Sequence, residues 1–344
     1  MILYILIIIF VITPFFPALE NQHWFFRTAD FIRLQSIFIE CVLLACFLYF
    51  EEDYSTFSWI LLVCLIVAII YQFEKVFPYS PLYPRKRPNF QSDGMLSILA
   101  GNVLQTNTNY EKFISEVKKH NPDLVLTMES NKAWEKGLSE IEKTHPYSVK
   151  IPLENFYGMH LYSKKELKNV KINYQIEDDV PSIYFDYPIN KTTDVFFACL
   201  HPAPPSPTEN ETSKERDAEL MVTGNHIREL KKPVVVCGDM NDVVWSRTTR
   251  LFKKMTGMID PRIGRGFFPT YHAKYFFMRF PLDHLFHTKD LYVKVMERTR
   301  AFGSDHYAMY YEIHHKNKKA HPKNPKLNGD DKEEVEELIQ NGKS

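Results

Sequence analysis

The feature that most constrains this chain is the segregation of its charge. The first 80 or so residues are largely apolar, and nearly all the charged residues lie beyond them. The totals hide this, because 42 Lys+Arg balance 42 Asp+Glu. Met1 to Leu19 reads MILYILIIIFVITPFFPAL, an uncharged run about as long as a bilayer's hydrocarbon core requires. A cleaved signal peptide would need a basic start and a small-residue cleavage site, and neither is present. A retained anchor is the better expectation. Phe57 to Phe73 is a second clean apolar run of about minimum spanning length. Between them, Ile37 to Phe50 is apolar except for Glu40, which in lipid must sit near an interface or face neighbouring helices.

Three spans are expected, over about 1–19, 34–51 and 57–73, within a membrane region 1–76. Arg27 and Arg33 precede the second run, and Lys75, Arg85, Lys86 and Arg87 follow the third. The connection Glu51-Glu52-Asp53-Tyr54-Ser55-Thr56 has no Lys or Arg. The positive-inside bias therefore places the large polar part in the cytoplasm. With two spans instead of three, that assignment of sides changes. Cys199 and Cys237 lie in apolar strand-like runs and are expected to be free thiols, as a reducing compartment allows.

Residues 77–93 hold four prolines and a basic cluster and read as an extended linker. From Met95 the pattern changes to short apolar runs separated by turns. Strands are expected at Leu96–Ala100, Leu124–Thr127, His160–Tyr162, Ile183–Tyr187, Val195–Leu200, Val234–Cys237, Leu282–Phe286 and Ala308–Ile313. Phe113, Ile114 and Val117 share one face of a helix over Tyr110–His120, which Asn121-Pro122 stops. A second helix is expected over Met221–Leu230. Strands with interspersed helices make residues 94–315 a layered α/β or α+β domain. Residues 316–344 are polar and charged, expected to form a flexible tail with a short terminal helix.

Several of these strands end in groups that bind metal or move protons. The first runs into Gly101-Asn102, and LVLTMES places Glu129 just past an apolar run. FFACL delivers His201, and VVVC delivers Gly238-Asp239-Met240-Asn241-Asp242. Leu282 leads into Asp283-His284, and Gly303-Ser304-Asp305-His306 precedes the last strand. Any one of these has a structural explanation as a cap, a turn or a surface carboxylate. Six at the ends of six sheet-like runs point to a site, because catalytic groups collect where loops leave a rigid sheet.

This ordered series resembles the endonuclease/exonuclease/phosphatase family, with GDMNDVVWS and GSDHYAM its most specific pieces. The resemblance covers about Met95 to His315. Members include DNase I-like nucleases, apurinic endonucleases, neutral sphingomyelinases and inositol polyphosphate 5-phosphatases. The apolar front end is similar to a membrane-bound bacterial branch. The resemblance implies a four-layer sandwich, two packed mixed β-sheets flanked by helices. It also implies an Mg²⁺-dependent phosphoesterase, with Mn²⁺ a substitute, cleaving a phosphodiester by in-line water attack. Glu129 would be the principal metal ligand, with Asn102 beside it and Asp305 a second ligand. Asp239 and Asn241 would position and deprotonate the attacking water and hold phosphoryl oxygens. His306 would pair with Asp283, and His201 would donate to the phosphate or leaving oxygen.

The expected partners are a phosphoester substrate, either nucleic acid or lipid headgroup, and a lipid bilayer at the N-terminal helices. No protein partner is inferable. Beyond position 80 some 39 basic residues face 35 acidic ones, short of the footprint of a tight duplex-DNA binder. A catalytically silent, membrane-tethered binding module is the alternative reading. Trp245 is a packing or substrate-stacking residue, and Arg262 and Arg265 are phosphate-contact candidates. The aromatic stretch from Tyr271 to Phe280 is a membrane-facing loop, a base-stacking loop or a core edge.

Overall fold

A computed structural model describes residues 1–85, 90–207, 209–316 and 324–344. The chain divides into two compact units. One comprises Met1–Arg85 with Trp245–Arg247 and Arg262–Phe267; the other comprises Lys86–Val244, Thr248–Pro261 and Phe268–Ser344. The basic cluster at Lys86 and Arg87, with Pro88, lies outside the described residues.

The first unit is helical: α1 (Ile2–Ile12), α2 (Trp24–Phe31), α3 (Arg33–Phe50) and α4 (Thr56–Val76). Residues 1–19, expected as a span, form an 11-residue α-helix continued by a 3-10 helix, Thr13–Ala18. Pro14 and Pro17 lie in that 3-10 segment, where each removes a backbone donor and neither can extend an α-helix. Among the described residues, the runs around α3 and α4 are the two helices long and apolar enough to cross a membrane, by length and composition. Ile7, Leu43, Phe47, Leu61, Leu62 and Leu65 form the helical core. Phe38, Trp59, Val63, Val67 and Ile70 point outward and stay exposed. Glu40 is fully buried, receiving Gln72 Nε2 at 2.6 Å and Ser36 Oγ at 3.2 Å.

The second unit holds two mixed sheets flanked by helices. Its strands are β1 (Ser92–Asn102), β2 (Leu124–Met128), β3 (Tyr147–Ile151), β4 (Met159–Ser163), β5 (Lys168–Asn173), β6 (Ser182–Pro188), β7 (Asp194–Leu200), β8 (Val234–Asp239), β9 (Asp283–His287), β10 (Leu291–Arg298) and β11 (Met309–Lys316). One sheet runs β10-β11-β1-β2-β4-β3, the other β5-β6-β7-β8-β9. Strands β1 and β2 pair in parallel, as do β7 and β8, while the other pairings are antiparallel.

The sheets pack face to face. Leu96, Ile98, Leu124 and Leu126 meet Phe185, Phe197, Val235 and Cys237 in one core. The alternate residues face helices. Leu99 and Val125 pack with Phe113, Val117 and Trp134 of α5 (Tyr110–His120) and α6 (Lys132–Gly137). Val234 and Val236 pack with Met221 of α7 (Lys214–Glu229) and Phe252 of α8 (Arg247–Thr256). A strand covered on both faces reads as a continuous apolar run, which is why VVVC was visible in the sequence. The more polar β3, β5 and β10 carried no such run.

Within residues 324–344 the expected short terminal helix forms, and it is packed on the sheet unit and not free. Helix α9 (Gly329–Lys343) buries Val335 and Leu338 in the cluster that holds Met221, and Lys254 reaches Asp331 at 2.7 Å. Ile339 joins Val335 and Leu338, so one narrow apolar stripe at i, i+3 and i+4 docks an otherwise charged helix.

Candidate active site

The strand-end residues converge. Parallel pairing of β1 with β2 sets Asn102 beside Met128, the residue before Glu129. Asn102 Nδ2 donates to Glu129 Oε1 at 2.7 Å and to Asp239 Oδ2 at 3.2 Å. One amide thus ties a carboxylate of the first sheet to a carboxylate of the second. Its Oδ1 accepts from Leu104 N at 3.0 Å, and Glu129 Oε2 accepts from Gln105 N at 3.2 Å.

Asp239 and Asp283 are register partners on β8 and β9. Asp283 Oδ2 bonds His306 Nδ1 at 2.9 Å, while His306 Nε2 lies 3.5 Å from Asp239 Oδ2. His201 Nε2 stands 4.0 Å from the same oxygen. Asn241 N donates to Asp239 Oδ1 at 3.0 Å, and Asn241 Nδ2 donates to Pro202 O at 3.0 Å. Glu129 and Asn241 both hold left-handed backbone, φ 58° and 48°. That conformation is unfavourable for residues with a Cβ and survives only where the surroundings impose it. Gly238 permits a φ of 145°, and a Cβ there would meet Leu200 O at 1.9 Å.

Burial and neighbouring charges split the protonation states. Burial alone would push His306 down, but Asp239 and Asp283 overcome it and hold the imidazole up at about 10. Burial drives His201 down to about 4, against the pull of Asp239, so it is neutral at pH 7. Burial would raise Asp239, yet His306 and His201 keep its carboxyl below the usual range. Glu129 is raised to about 7, chiefly by burial, with Asp305 adding like charge.

Two sets of side chains are close enough together to be considered for a cation. Asp239, Asp283 and His306 bring one ligand atom each within 4.8 Å of one another. With the imidazole protonated, however, both its nitrogens are donors and neither has a lone pair to give. Glu129, crowded by the charge of Asp305, offers hard oxygen atoms whose mutual repulsion a divalent ion would relieve.

Several supporting residues had no role at the site assigned from sequence. The Tyr271 ring lies 5.0 Å from that of His306. Thr270 Oγ1 accepts from Asp283 N at 3.2 Å, and Arg216 Nη1 donates to Asn241 O at 2.8 Å. Ser304 Oγ donates to Asn102 O at 2.9 Å and accepts from His306 N at 3.0 Å, joining two strand ends. Ser304 was legible in the Ser-Asp-His triplet; the others depend on contacts distant in sequence. Trp245 is buried, its Nε1 donating to Asp30 O at 2.8 Å, which makes it a packing residue. Arg262 is buried as well. Cys199 and Cys237 are free thiols with sulfurs 3.8 Å apart.

The sequence profile of the Endonuclease/Exonuclease/phosphatase family matches residues 97–306, and the chain belongs to that family. No curated protein sequence gives a significant match. Solved structures share the fold. TDP2 from D. rerio, complexed with single-strand DNA product, superposes with a TM-score of 0.55 at 16% identity, covering 64% of this chain and 99% of that one. The human Nocturnin catalytic domain with bound sulfate gives 0.51 at 14% identity, covering 65% and 96%. TDP2 from Caenorhabditis elegans gives 0.52 at 14%, covering 81% and 92%.

Proposed function

We infer that the chain is a divalent-metal-dependent phosphoesterase that hydrolyses a phosphodiester by in-line attack of water, anchored in a membrane by its N-terminal helices. The observation that carries this reading is the environment of Asp239. Its carboxylate is kept ionised, is held by Asn102 and Asn241, and lies 3.5 Å from a protonated His306. The ionised carboxylate can accept the proton of the attacking water, and the cationic imidazole beside it can neutralise charge on the phosphoryl oxygens. The leaving oxygen, on the far side of an in-line displacement, takes its proton from solvent.

Asp239 takes a proton from the attacking water, and Asn241 fixes that water's approach. His306, oriented by Asp283, meets the negative charge that grows on the phosphoryl group. His201, neutral and buried, donates a hydrogen bond to the phosphoryl or leaving oxygen. Glu129 and Asp305, with Asn102 beside them, would hold Mg²⁺ or Mn²⁺, which as a Lewis acid neutralises phosphoryl charge. Residues 94–315 form the catalytic domain in this reading, with α9 packed on it.

The membrane part rests on α3 and α4, whose length and mean hydropathy suffice for a span and whose outward faces carry exposed apolar side chains. The DNA product in D. rerio TDP2 makes a nucleic-acid phosphodiester one substrate to test, beside lipid headgroup phosphodiesters. The decisive assay uses the full chain in detergent against DNA, RNA, phospholipid and inositol phosphates. Chelator-sensitive turnover that disappears in Glu129→Ala, Asp239→Ala and His306→Ala is expected. Normal turnover in all three variants would overturn the site, and metal binding without turnover in the parent would favour the binding module.

A further inference from the structure

The segment from Tyr271 to Phe280 exposes apolar side chains next to the candidate active site. Tyr275 is 55% exposed, Phe276 78%, Phe277 59% and Met278 41%. Four consecutive large apolar residues at a loop tip are more than the isolated exposed residue any surface carries.

This exposure does not come from a slack loop. Thr270 N and Tyr271 N each donate to Phe280 O at 3.0 Å, and His272 N donates to Met278 O at 3.0 Å. Ala273 N donates to Asp305 O at 2.6 Å, and Tyr307 N to Thr270 O at 2.9 Å. The base of the loop is therefore stapled to the strand end that carries Asp305 and His306, and the Tyr271 ring covers His306. A 3-10 turn, Phe276–Met278, presents the tip.

We propose that this tip seats in the interfacial layer of a lipid bilayer and brings the site to a phosphoester carried at that surface. The substrate half of this statement rests on the phosphoesterase reading above. Aromatic and thioether side chains flanked by a cation are the composition that partitions into the headgroup region. Lys274 is exposed at the tip and complements anionic headgroups. Arg279 turns inward, donating to Ala273 O at 3.3 Å and Tyr307 Oη at 3.1 Å. Single-stranded nucleic acid would need a track of outward cations beside the rings, and the loop offers Lys274 alone. The same chain carries two helices apolar enough to span a bilayer. The 15 residues between Val76 and Ser92 reach at most on the order of 50 Å. A domain tethered that closely meets the membrane far more often than any soluble partner.

The test uses the full chain reconstituted in phosphatidylcholine vesicles containing one phosphatidylglycerol in four. Phe276→Trp adds a reporter indole; its emission, taken as the difference from the parent chain, should be blue-shifted and quenched by bromine-labelled acyl chains. An unquenched, water-like emission overturns the docking, whatever the enzyme does. Phe276→Ser with Phe277→Ser should lower turnover of a vesicle-borne phosphodiester at least tenfold and change that of soluble bis(p-nitrophenyl) phosphate less than twofold. Equal turnover on vesicles, or a selective loss on single-stranded oligonucleotide, also overturns it. Quenching in a chain that hydrolyses none of these substrates would keep the docking and reject the phosphoesterase reading.

Discussion

The two units both bury charged groups, and they do so in opposite ways. In the helical unit the buried charges are matched by one or two groups each: Glu40 takes Ser36 from its own helix and Gln72 from the next, and Arg33 pairs with Asp30 three residues away. In the sheet unit Asp239 is approached by Asn102, His201, Asn241 and His306, drawn from four separate stretches of chain. The first arrangement satisfies polar groups so that helices can pack. The second assembles charges that raise His306 and lower Asp239 instead of cancelling. Perturbation of that kind, in residues gathered from distant strands, marks a working site more strongly than burial does.

The sharpest way to break the contrast is to remove a member of the second cluster. Asp239→Asn or His306→Ala should lower turnover by ~10²–10⁴-fold, with unchanged circular dichroism. Loss of fold in both variants would show that the cluster is structural, like its helical counterpart.

The next largest effect is expected beneath the site. Gly238→Ala would drive a Cβ into Leu200 O, and the parallel β7–β8 pair cannot yield without moving His201 and Asp239. A loss of ~2–4 kcal/mol in urea unfolding, together with most of the activity, is predicted. An unaffected variant would mean that the strand pair is more pliable than its packing indicates.

A smaller and pH-dependent effect concerns Glu219 of α7, buried and pushed up to about 8 by burial and by the charge of Glu177. A carboxyl whose folded-state pKa exceeds its ordinary 4.5 favours folding fully below that value. The contribution is lost as pH rises through about 8. Glu219→Gln should therefore raise Tm more at pH 8 than at pH 5. Equal shifts at the two pH values would show that Glu219 does not titrate in this window.

The smallest catalytic effect belongs to the helical unit. Glu40→Gln keeps an oxygen acceptor for Gln72 and removes a charge from the helix core, so turnover of a soluble phosphodiester should stay within twofold. A large loss would tie that buried group to catalysis and erase the distinction between the units.

Much of the architecture was legible because both faces of the central strands are covered. Their side chains had to be apolar almost without interruption, so the runs ending at Asn102, Glu129, His201 and Asp239 stood out. Helix α5 was legible from its single apolar face. The outer strands β3, β5 and β10 were not, because edge positions tolerate Lys, Asn and Glu and leave no periodic signal. The terminal helix α9 was expected, but its docking was not, because a few apolar side chains among many charges are invisible to composition.

The sequence by itself determined which groups stand at strand ends and that an apolar front precedes them, since both follow from local patterning. Only the tertiary structure decided that Asn102 bridges Glu129 and Asp239, and that Pro14 and Pro17 leave the first apolar run short of a full helix. It also decided that the aromatic stretch after Tyr271 is an exposed tip and not a core edge. Hydrophobic patterning acts along the chain and survives in the order of residues. Hydrogen bonds, charge coupling and exposure depend on which distant segments meet, and packing alone settles that.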